Sequence, residues 1–512
     1  MRPVLQAAQM GAADRGAEER GVPVEALMER AGHAVARAAA ALLGAPYGRR
    51  VAAVCGKGNN AGDAFVAARL LAAWGAAPAV VAVAGLDELR EAAAVNAGRL
   101  RDVGVPVLTW GTREADRAIA RADVLVDGLF GSGFRGLAEG PWAAAIEAMN
   151  ASPAPVVAAD IPSGVEGDTG AVRGPAVRAE VTVTFAAPKV GVVLYPGAEL
   201  AGRVEVADIG IPADLLESDL ALVEPGDVAA ILPRRAPDEH KHRSGDVLVV
   251  AGSRRMTGAP RLVAEGAARA GAGLVHVAVP EGIFPIVQAG LTEAVFLPLP
   301  EGPEGSVAAS AWGELEKRMD RFDAVAIGPG LTTEGEAPDL VRALVRSSPV
   351  PIVADADALN AFADGSESLK DRSSELVITP HAGEFGRLFR VPAADLAEDR
   401  VGLVRKAAAD TGAVTVLKGP RTLVALPGGE VRINPTGSAA LATGGTGDVL
   451  AGAIAAYLAR GLPPVEAATA AVYVHGLAGQ VVGRRMGEGG TAEDVAIAIP
   501  AAVEAVLGSV AS

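Results

Sequence analysis

Residues 434–454 read NPTGSAALATGGTGDVLAGAI. Gly444, Gly445 and Gly447 fall within four positions, and Asp448 follows directly. Behind them, Val449, Leu450, Ala453, Ile454, Tyr457 and Leu458 recur with helical period until Gly461 and Pro463 end the pattern. Each glycine costs about 1 kcal/mol of chain entropy relative to alanine in a regular element, so three together mark a turn with a purpose. A glycine-rich turn that opens a helix points several backbone N–H groups at one spot, and the helix dipole adds positive potential there. Such a corner suits a phosphate or a developing oxyanion. Asp448, beside those donors, is placed to take a proton from a hydroxyl as a phosphoryl group is attacked. The plainer alternative is a turn with a helix-capping aspartate.

The chain has 512 residues, which predicts two or more domains. Half are apolar but only 4% are aromatic, so the core must be built from Ala, Val and Leu. The formal charge of −15 and the lack of a basic run argue against a nucleic-acid groove. A single cysteine, Cys55 in the apolar run VAAVC, excludes an intramolecular disulfide framework and predicts a buried, inert thiol. No apolar run has the length of a membrane span, and the opening segment lacks an apolar signal-peptide core. A soluble cytoplasmic protein with no membrane or nucleic-acid partner is expected, as a homo-oligomer. Seven lysines stand against thirty-nine arginines, and there are six asparagines. Lys57, Asn59, Asn60, Lys189, Lys418 and Asn434, all in turn-like stretches, are therefore poor candidates for filler.

In the first half, residues 24–43 read as an amphipathic helix and 50–55 as an apolar strand. The turn GKGNNAGD, 56–63, then leads into a helix to about Trp74. Gly56-x-Gly58-x-x-Ala61 fits the dinucleotide fingerprint with Asp87 as its ribose acid, so an ordinary nicotinamide dehydrogenase is one reading. The Asn59-Asn60 pair and Asp63 put side-chain donors and acceptors where that turn needs bare backbone. Strands are predicted at 79–84, 105–109, 123–127, 155–160, 181–185 and 204–207. In open α/β sheets ligands lie beyond the carboxyl ends of the strands, where Asn60, Asp127, Asp160, Ser163 and Lys189 would gather. Their hard oxygen atoms suit an alkali or alkaline-earth cation. Taken singly, each aspartate could instead cap a following turn.

GKGNNAGDAFVAARLL, VDGLFGSGFRG, ADIPSGVEGDTG and VTFAAPKVG together resemble the NAD(P)H-hydrate epimerase family over residues 1 to about 215. The resemblance implies that Asn59, Asn60, Ala61, Gly62 and Asp63, with Gly131, Ser132, Gly133, Phe134, Arg135, Gly136 and Leu137, bind the hydrated nucleotide. It implies K⁺ on Asn60, Asp127 and Ser163. Asp160 would touch substrate and serve as acid/base for inverting the C6 carbinol carbon, with Lys189 beside it. Ala61 and Ala64 stand where the family loop usually has glycines; a methyl at 61 would crowd the ligand or demand a positive φ.

Residues 216–245 read as a linker, with His240, Lys241 and His242 in a solvated or substrate-edge segment. The second half, 246–512, begins its own βαβ series with DVLVVAG, then the strand LVHVAVP. Further strands are expected before GPGLTTEG, DADALN, TPHAGEF and KGPRT, and a hairpin at 422–426 and 430–433. The absence of GxxxxGK[ST] excludes a P-loop NTPase. Lys418 and the following amides are placed to hold phosphates, and the GGTGD amides to hold the transferring group.

HKHRSGDVLVVAGS, TGAPRLVAEGAARAGAGLV, DADALN, TPHAGEF and LATGGTGDVLAG resemble the ribokinase-like superfamily, and within it the ADP-dependent NAD(P)H-hydrate dehydratases. The resemblance implies hydrate contacts at Ala259, Gly330, His381 and Asp448, and nucleotide contacts at Lys418, Gly419, Pro420, Arg421, Thr422 and Gly447. It implies ADP as donor, with Mg²⁺. The expected fold is two doubly wound α/β domains, a Rossmann-like and a ribokinase-like three-layer sandwich. The expected function is repair of the NADH and NADPH hydrates (NADHX and NADPHX): epimerisation in the first domain, ADP-driven dehydration of the S form in the second. A small-molecule kinase, a nucleotide-sensing module and a dehydrogenase are the rivals.

Overall fold

The computed structural model describes residues 1–89, 91–234 and 244–509. It divides into two compact units, one of Arg2–Ser218 and one of Asp219–Ser512 together with Met1.

The first unit carries strands β1 Arg50–Cys55, β2 Ala77–Ala82, β3 Val107–Thr109, β4 Val124–Gly128, β5 Val156–Ala159, β6 Val181–Phe185 and β7 Arg203–Ala207. They pair in the order β3-β2-β1-β4-β5-β6-β7, all parallel. Successive side chains of β1 enter different cores: Val51, Ala53 and Cys55 one, Ala52 and Val54 the other. That explains its unbroken apolar run, because a parallel strand covered on both faces has no polar side. The helices that matter here are α1 Ala7–Glu19, α2 Val24–Leu43 and α3 Asn59–Ala73. The strand order reverses between β1 and β4, which opens a crevice where α3 begins and β4 ends.

The second unit pairs its strands in the order β8-β17-β16-β15-β14-β13-β12-β9-β10-β11. These are β8 Leu220–Leu222, β9 Asp246–Val250, β10 Leu274–Pro280, β11 Val295–Leu299, β12 Ala324–Ile327, β13 Ile352–Ala354, β14 Leu376–Ile378, β15 Val414–Leu417, β16 Leu423–Ala425 and β17 Val431–Ile433. Pairing is parallel from β11 to β15, and the expected hairpin turns β16 and β17 antiparallel. Here too Val247 and Val249 enter one core and Leu248 and Val250 the other. Helices α4 Ala259–Arg269, α5 Ala382–Phe389, α6 Thr446–Ala459 and α7 Pro464–Met486 frame the site below. Among the described residues no helix is long and apolar enough to cross a membrane.

Two sequence expectations change. The stretch read as a linker, 216–245, contributes β8, which pairs in parallel with β17, and the helix Pro225–Ile231. Three residues are too few to show a period, and the Val431–Ile433 edge supplies their order. Residues 235–243, with His240, Lys241 and His242, lie outside the described residues. The edge strand β11 was not foreseen; its Pro298 is tolerated because an edge strand leaves one side unpaired.

Helix α6 is buried nearly all round and crosses α4 through glycines. A Cβ on Gly452 would lie 2.0 Å from the Val263 carbonyl oxygen, and one on Gly266 2.2 Å from that of Val449. Backbone meets backbone there, so nothing can yield. Gly452→Val is expected to destabilise the second unit by about 3 kcal/mol in denaturant unfolding; a change below about 0.5 kcal/mol would contradict this packing.

Candidate functional site

In the first unit, the carboxyl end of the sheet bounds a cleft of about 870 Å³. Asp160 ends β5 with a positive φ of 63°, a conformation that aspartate tolerates better than most residues and that calls for local support. The support is visible. Its Oδ1 accepts from Lys189 Nζ at 2.6 Å, and from Thr184 Oγ1 and the Phe185 N–H at 3.3 Å. Lys189 is fully buried and also donates to the Phe185 carbonyl at 2.7 Å. A buried ammonium needs such partners to stay charged.

Asp127, at the end of β4, is fully buried. Its Oδ1 accepts from Ser163 Oγ at 2.6 Å and its Oδ2 from the Ser163 N–H at 2.8 Å. Asn60 Nδ2 donates to the Phe130 carbonyl at 2.8 Å, and the Phe130 N–H donates to Ser163 Oγ at 2.9 Å. So the three expected cation ligands share one small network. Burial pushes Asp127 up to about 6 despite its hydrogen bonds from Ser163 and Leu129. Among the described residues no lysine or arginine pairs with it. Hard oxygens around an uncompensated buried carboxylate fit an alkali cation.

Asn59, Asn60, Asp63, Gly131, Ser132, Gly133 and Phe134 line the cleft, with Asp160 and Lys189. The other expected binders do not. Ala61 is helical and packs into the core, and Gly62 abuts the Met28 sulfur. A methyl at 61 therefore neither faces the cleft nor needs a positive φ. The Ala64 methyl fills the space that Gly128 leaves open. Arg135 pairs with Asp168, the Gly136 N–H donates to Glu166, and Leu137 packs over Gly174. Sequence reasoning missed Asp14, on α1, which also lines the cleft. Cys55 is buried and burial pushes its thiol up, as expected of an inert cysteine.

In the second unit the corresponding edge gathers β13, β14, β15 and the start of α6. Asp355 is buried, and its Oδ1 accepts from Lys418 Nζ at 2.6 Å and Thr379 Oγ1 at 2.8 Å. Ala356, between the two aspartates of DADALN, takes a φ of 52° and turns Asp357 to accept from the Thr332 N–H. Gly445 caps α6 with a φ of 89°, and a Cβ on Gly447 would come 3.2 Å from Lys418 Nζ. The lysine thus lies against the glycine turn, tied to a carboxylate. Burial works against its charge, but Asp355 and Glu384 outweigh it and hold its ammonium above the ordinary value. Asp448, half-buried in the first turn of α6, is pushed up to about 7, by burial first and then by Asp355, with Lys418 opposing.

His381 caps α5: its Nδ1 accepts from the Gly383 N–H at 3.0 Å, and it bridges in parallel to Lys418. Ala259 and Gly330 meet, a Cβ on Gly330 falling 3.0 Å from that of Ala259. The Lys418–Thr422 loop is pinned by Arg400, which donates to the Pro420 and Arg421 carbonyls. Gly419, at φ 150°, and Arg421, at φ 54°, shape its bend; Thr422 Oγ1 donates to the Gly419 carbonyl. His475 was missed as well. A carbonyl only accepts, so its Nε2 carries hydrogen and donates to the Thr446 carbonyl at 2.9 Å. This ties α7 to the glycine turn.

Two α/β units, each with a lysine–aspartate ion pair at the carboxyl edge of its sheet, define an enzyme with a site in each unit. Residues 24–191 match the family model described as YjeF-related protein N-terminus, and residues 247–501 the one described as NAD(P)H-hydrate dehydratase. The chain is 42% identical over 494 residues to the Bifunctional NAD(P)H-hydrate repair enzyme Nnr of Moorella thermoacetica, covering 95% of this chain and 93% of that one. Identity and coverage are the same for the Nnr of Thermofilum pendens. It is also similar to the solved ADP/ATP-dependent NAD(P)H-hydrate dehydratase of Bacillus subtilis co-crystallised with ATP/Mg²⁺, at 30% identity and a TM-score of 0.49, covering 57% of this chain and 100% of that one. The chain belongs to the bifunctional NAD(P)H-hydrate repair enzyme family.

Burial holds the His475 imidazole down to about 4, whereas the unfolded ring titrates near the ordinary 6.5. A depressed histidine means the unfolded state binds the extra proton, so stability is full above about 6.5 and drains as pH falls toward 4. The loss should approach about 3 kcal/mol. His475→Gln, whose amide can still donate, should flatten the pH dependence of unfolding in that window; equal slopes in both proteins would contradict the assignment.

Proposed function

We propose that the first unit interconverts the R and S hydrates of NADH and NADPH at C6, and that the second dehydrates the S form at the expense of ADP, giving AMP and phosphate. In the second unit Asp448 removes the proton from the C6 hydroxyl. The resulting oxygen attacks the β-phosphorus of ADP, and AMP leaves. The phosphate then departs with the C6–O bonding pair, the ring nitrogen's lone pair fills in behind it, and loss of a C5 proton restores the reduced ring. Main-chain amides at Gly444–Gly447 face the phosphoryl group as charge develops on it. Lys418, Gly419, Pro420, Arg421, Thr422 and Gly447 hold the adenine nucleotide, which carries Mg²⁺ as its counter-ion; Ala259, Gly330 and His381 border the hydrate. The observation that carries this reading is the carboxyl of Asp448, raised to about 7 at the mouth of a glycine-capped helix. A base of that strength is matched to neutral pH.

In the first unit Asp160, steadied by Lys189, acts on the C6 carbinol carbon, and the 59–63 and 131–137 segments seat the nucleotide. Asn60, Asp127 and Ser163 hold K⁺, whose fixed charge would offset the buried carboxylate of Asp127.

Asp448→Asn should lower the regeneration of reduced nicotinamide from S hydrate and ADP by about 100-fold or more, read from its absorbance. An undiminished rate would refute the base. Asp160→Ala should leave S-hydrate dehydration intact but stop a mixed pool with its R form unconsumed; full conversion of the pool at the wild-type rate would remove Asp160 from the epimerisation.

A further inference from the structure

One lysine in the first unit's cleft faces three carboxyls. Asp160, from β5, is bonded to Lys189. Asp63, near the start of α3, is buried and lines the cleft, and its carboxyl makes no hydrogen bond among the described residues. Asp14, from α1, lines the same cleft half-buried, also without a hydrogen bond. The segment that carries α1 is fastened at this edge: the Leu5 N–H donates to the Pro188 carbonyl, and the Ala7 N–H to Asp168. Arg15, Glu18, Lys57 and Glu91 also border the cleft. Lys57 is already paired with Glu88. Helix α2 presents Val24, Leu27, Met28 and Ala31, none of them charged.

Inverting C6 calls for a proton donor and for a negative charge beside the cation that forms. The carbon bears a hydroxyl and the ring nitrogen, so the economical path removes the hydroxyl as water and returns water to the other face. Departure needs a proton donor. The iminium left behind needs a carboxylate nearby, and the incoming water must give up a proton.

We propose that Asp63 is the catalytic acid of this epimerisation and that Asp14 is the positioning residue that keeps it loaded with a proton, both acting opposite the lysine-held carboxylate of Asp160. The Asp63 proton passes to the C6 hydroxyl oxygen. The C6–O bond breaks with both electrons on oxygen, and water leaves. The ring nitrogen's lone pair forms the N=C6 bond, and the Asp160 carboxylate stabilises the cation. Water then adds to the opposite face and its proton returns to a carboxylate, so nothing is consumed. The electrostatics agree. Burial, then the charges of Asp160 and Asp14, hold Asp63 well above the usual carboxylate range, with Lys189 opposing. Asp14 is raised too, by burial first, with Lys189 opposing and Asp160 adding to it.

This inference rests on the reading of the first unit as the epimerase, and the test separates the two. R-to-S exchange is followed by chromatographic resolution of the epimers in the full chain, between pH 6 and 9. Asp63→Asn should lower kcat by about 100-fold while KM moves less than about threefold. Asp14→Asn removes a neighbouring negative charge, so Asp63 gives up its proton more readily and the alkaline limb of kcat should move to lower pH; Asp14→Glu should restore it. A merely structural Asp14 would lower the rate at every pH without moving the limb. If Asp160→Asn abolishes exchange while Asp63→Asn retains it, or if the limb stays fixed in Asp14→Asn, the inference falls alone. If the unsubstituted chain does not exchange the epimers at all, the reading of the unit falls with it.

Discussion

A lysine ammonium 2.6 Å from a buried aspartate stands at the carboxyl edge of each sheet: Lys189 on Asp160, Lys418 on Asp355. Neither partner could lie there alone, since an unpaired buried charge costs several kcal/mol. Each pair therefore fixes the end of a strand in place. In neither site does the lysine balance the surrounding acid. Lys418 is surrounded by Asp355, Glu384 and Asp448, and the carboxyl left over is the one beside the glycine turn. In the second site this excess of acid leaves Asp448 able to exchange a proton near neutral pH.

Topology delivers these groups to one place. A parallel sheet directs every strand's carboxyl end to the same edge, and short turns then lead straight into helices. Backbone that departs from ordinary conformations clusters there, at Asp160, Ala356, Gly419 and Arg421. Two of them are held by specific bonds, Lys189 on Asp160 and Arg400 on the Arg421 carbonyl. Beneath the second site, α6 and α4 touch backbone to backbone through Gly452 and Gly266, which keeps the glycine turn from shifting. The elements are rigid, and the proton-carrying side chains sit on them.

Much of this was legible in the residues. Unbroken apolar runs of four to six residues marked the buried strands, because a two-faced sheet writes no alternation, and the scarce lysines in turns pointed at both ion pairs. What stayed hidden has physical reasons. Leu220–Leu222 is too short for a period and takes its order from a neighbour. Asp14 sits in an alanine-rich helix where an acid looks like a solvated face; only the fastening of that helix at the Lys189 edge turns it inward. His475 lies mid-helix with no turn chemistry around it, and its partner, the Thr446 carbonyl, is a main-chain atom that no side-chain motif announces. Ala61 misled in the other direction: read as part of a loop, it is the first turn of a helix.

Burial, and then the charge of Asp355, raise the Asp448 carboxyl to about 7, and the role proposed for it depends on that shift. The direct measurement is a carboxyl titration by ¹³C NMR of aspartate-labelled protein, with Asp448→Asn as the subtraction that assigns the signal. A midpoint near 7 is the result this account predicts. A midpoint at the ordinary aspartate value near 3.8 would contradict it.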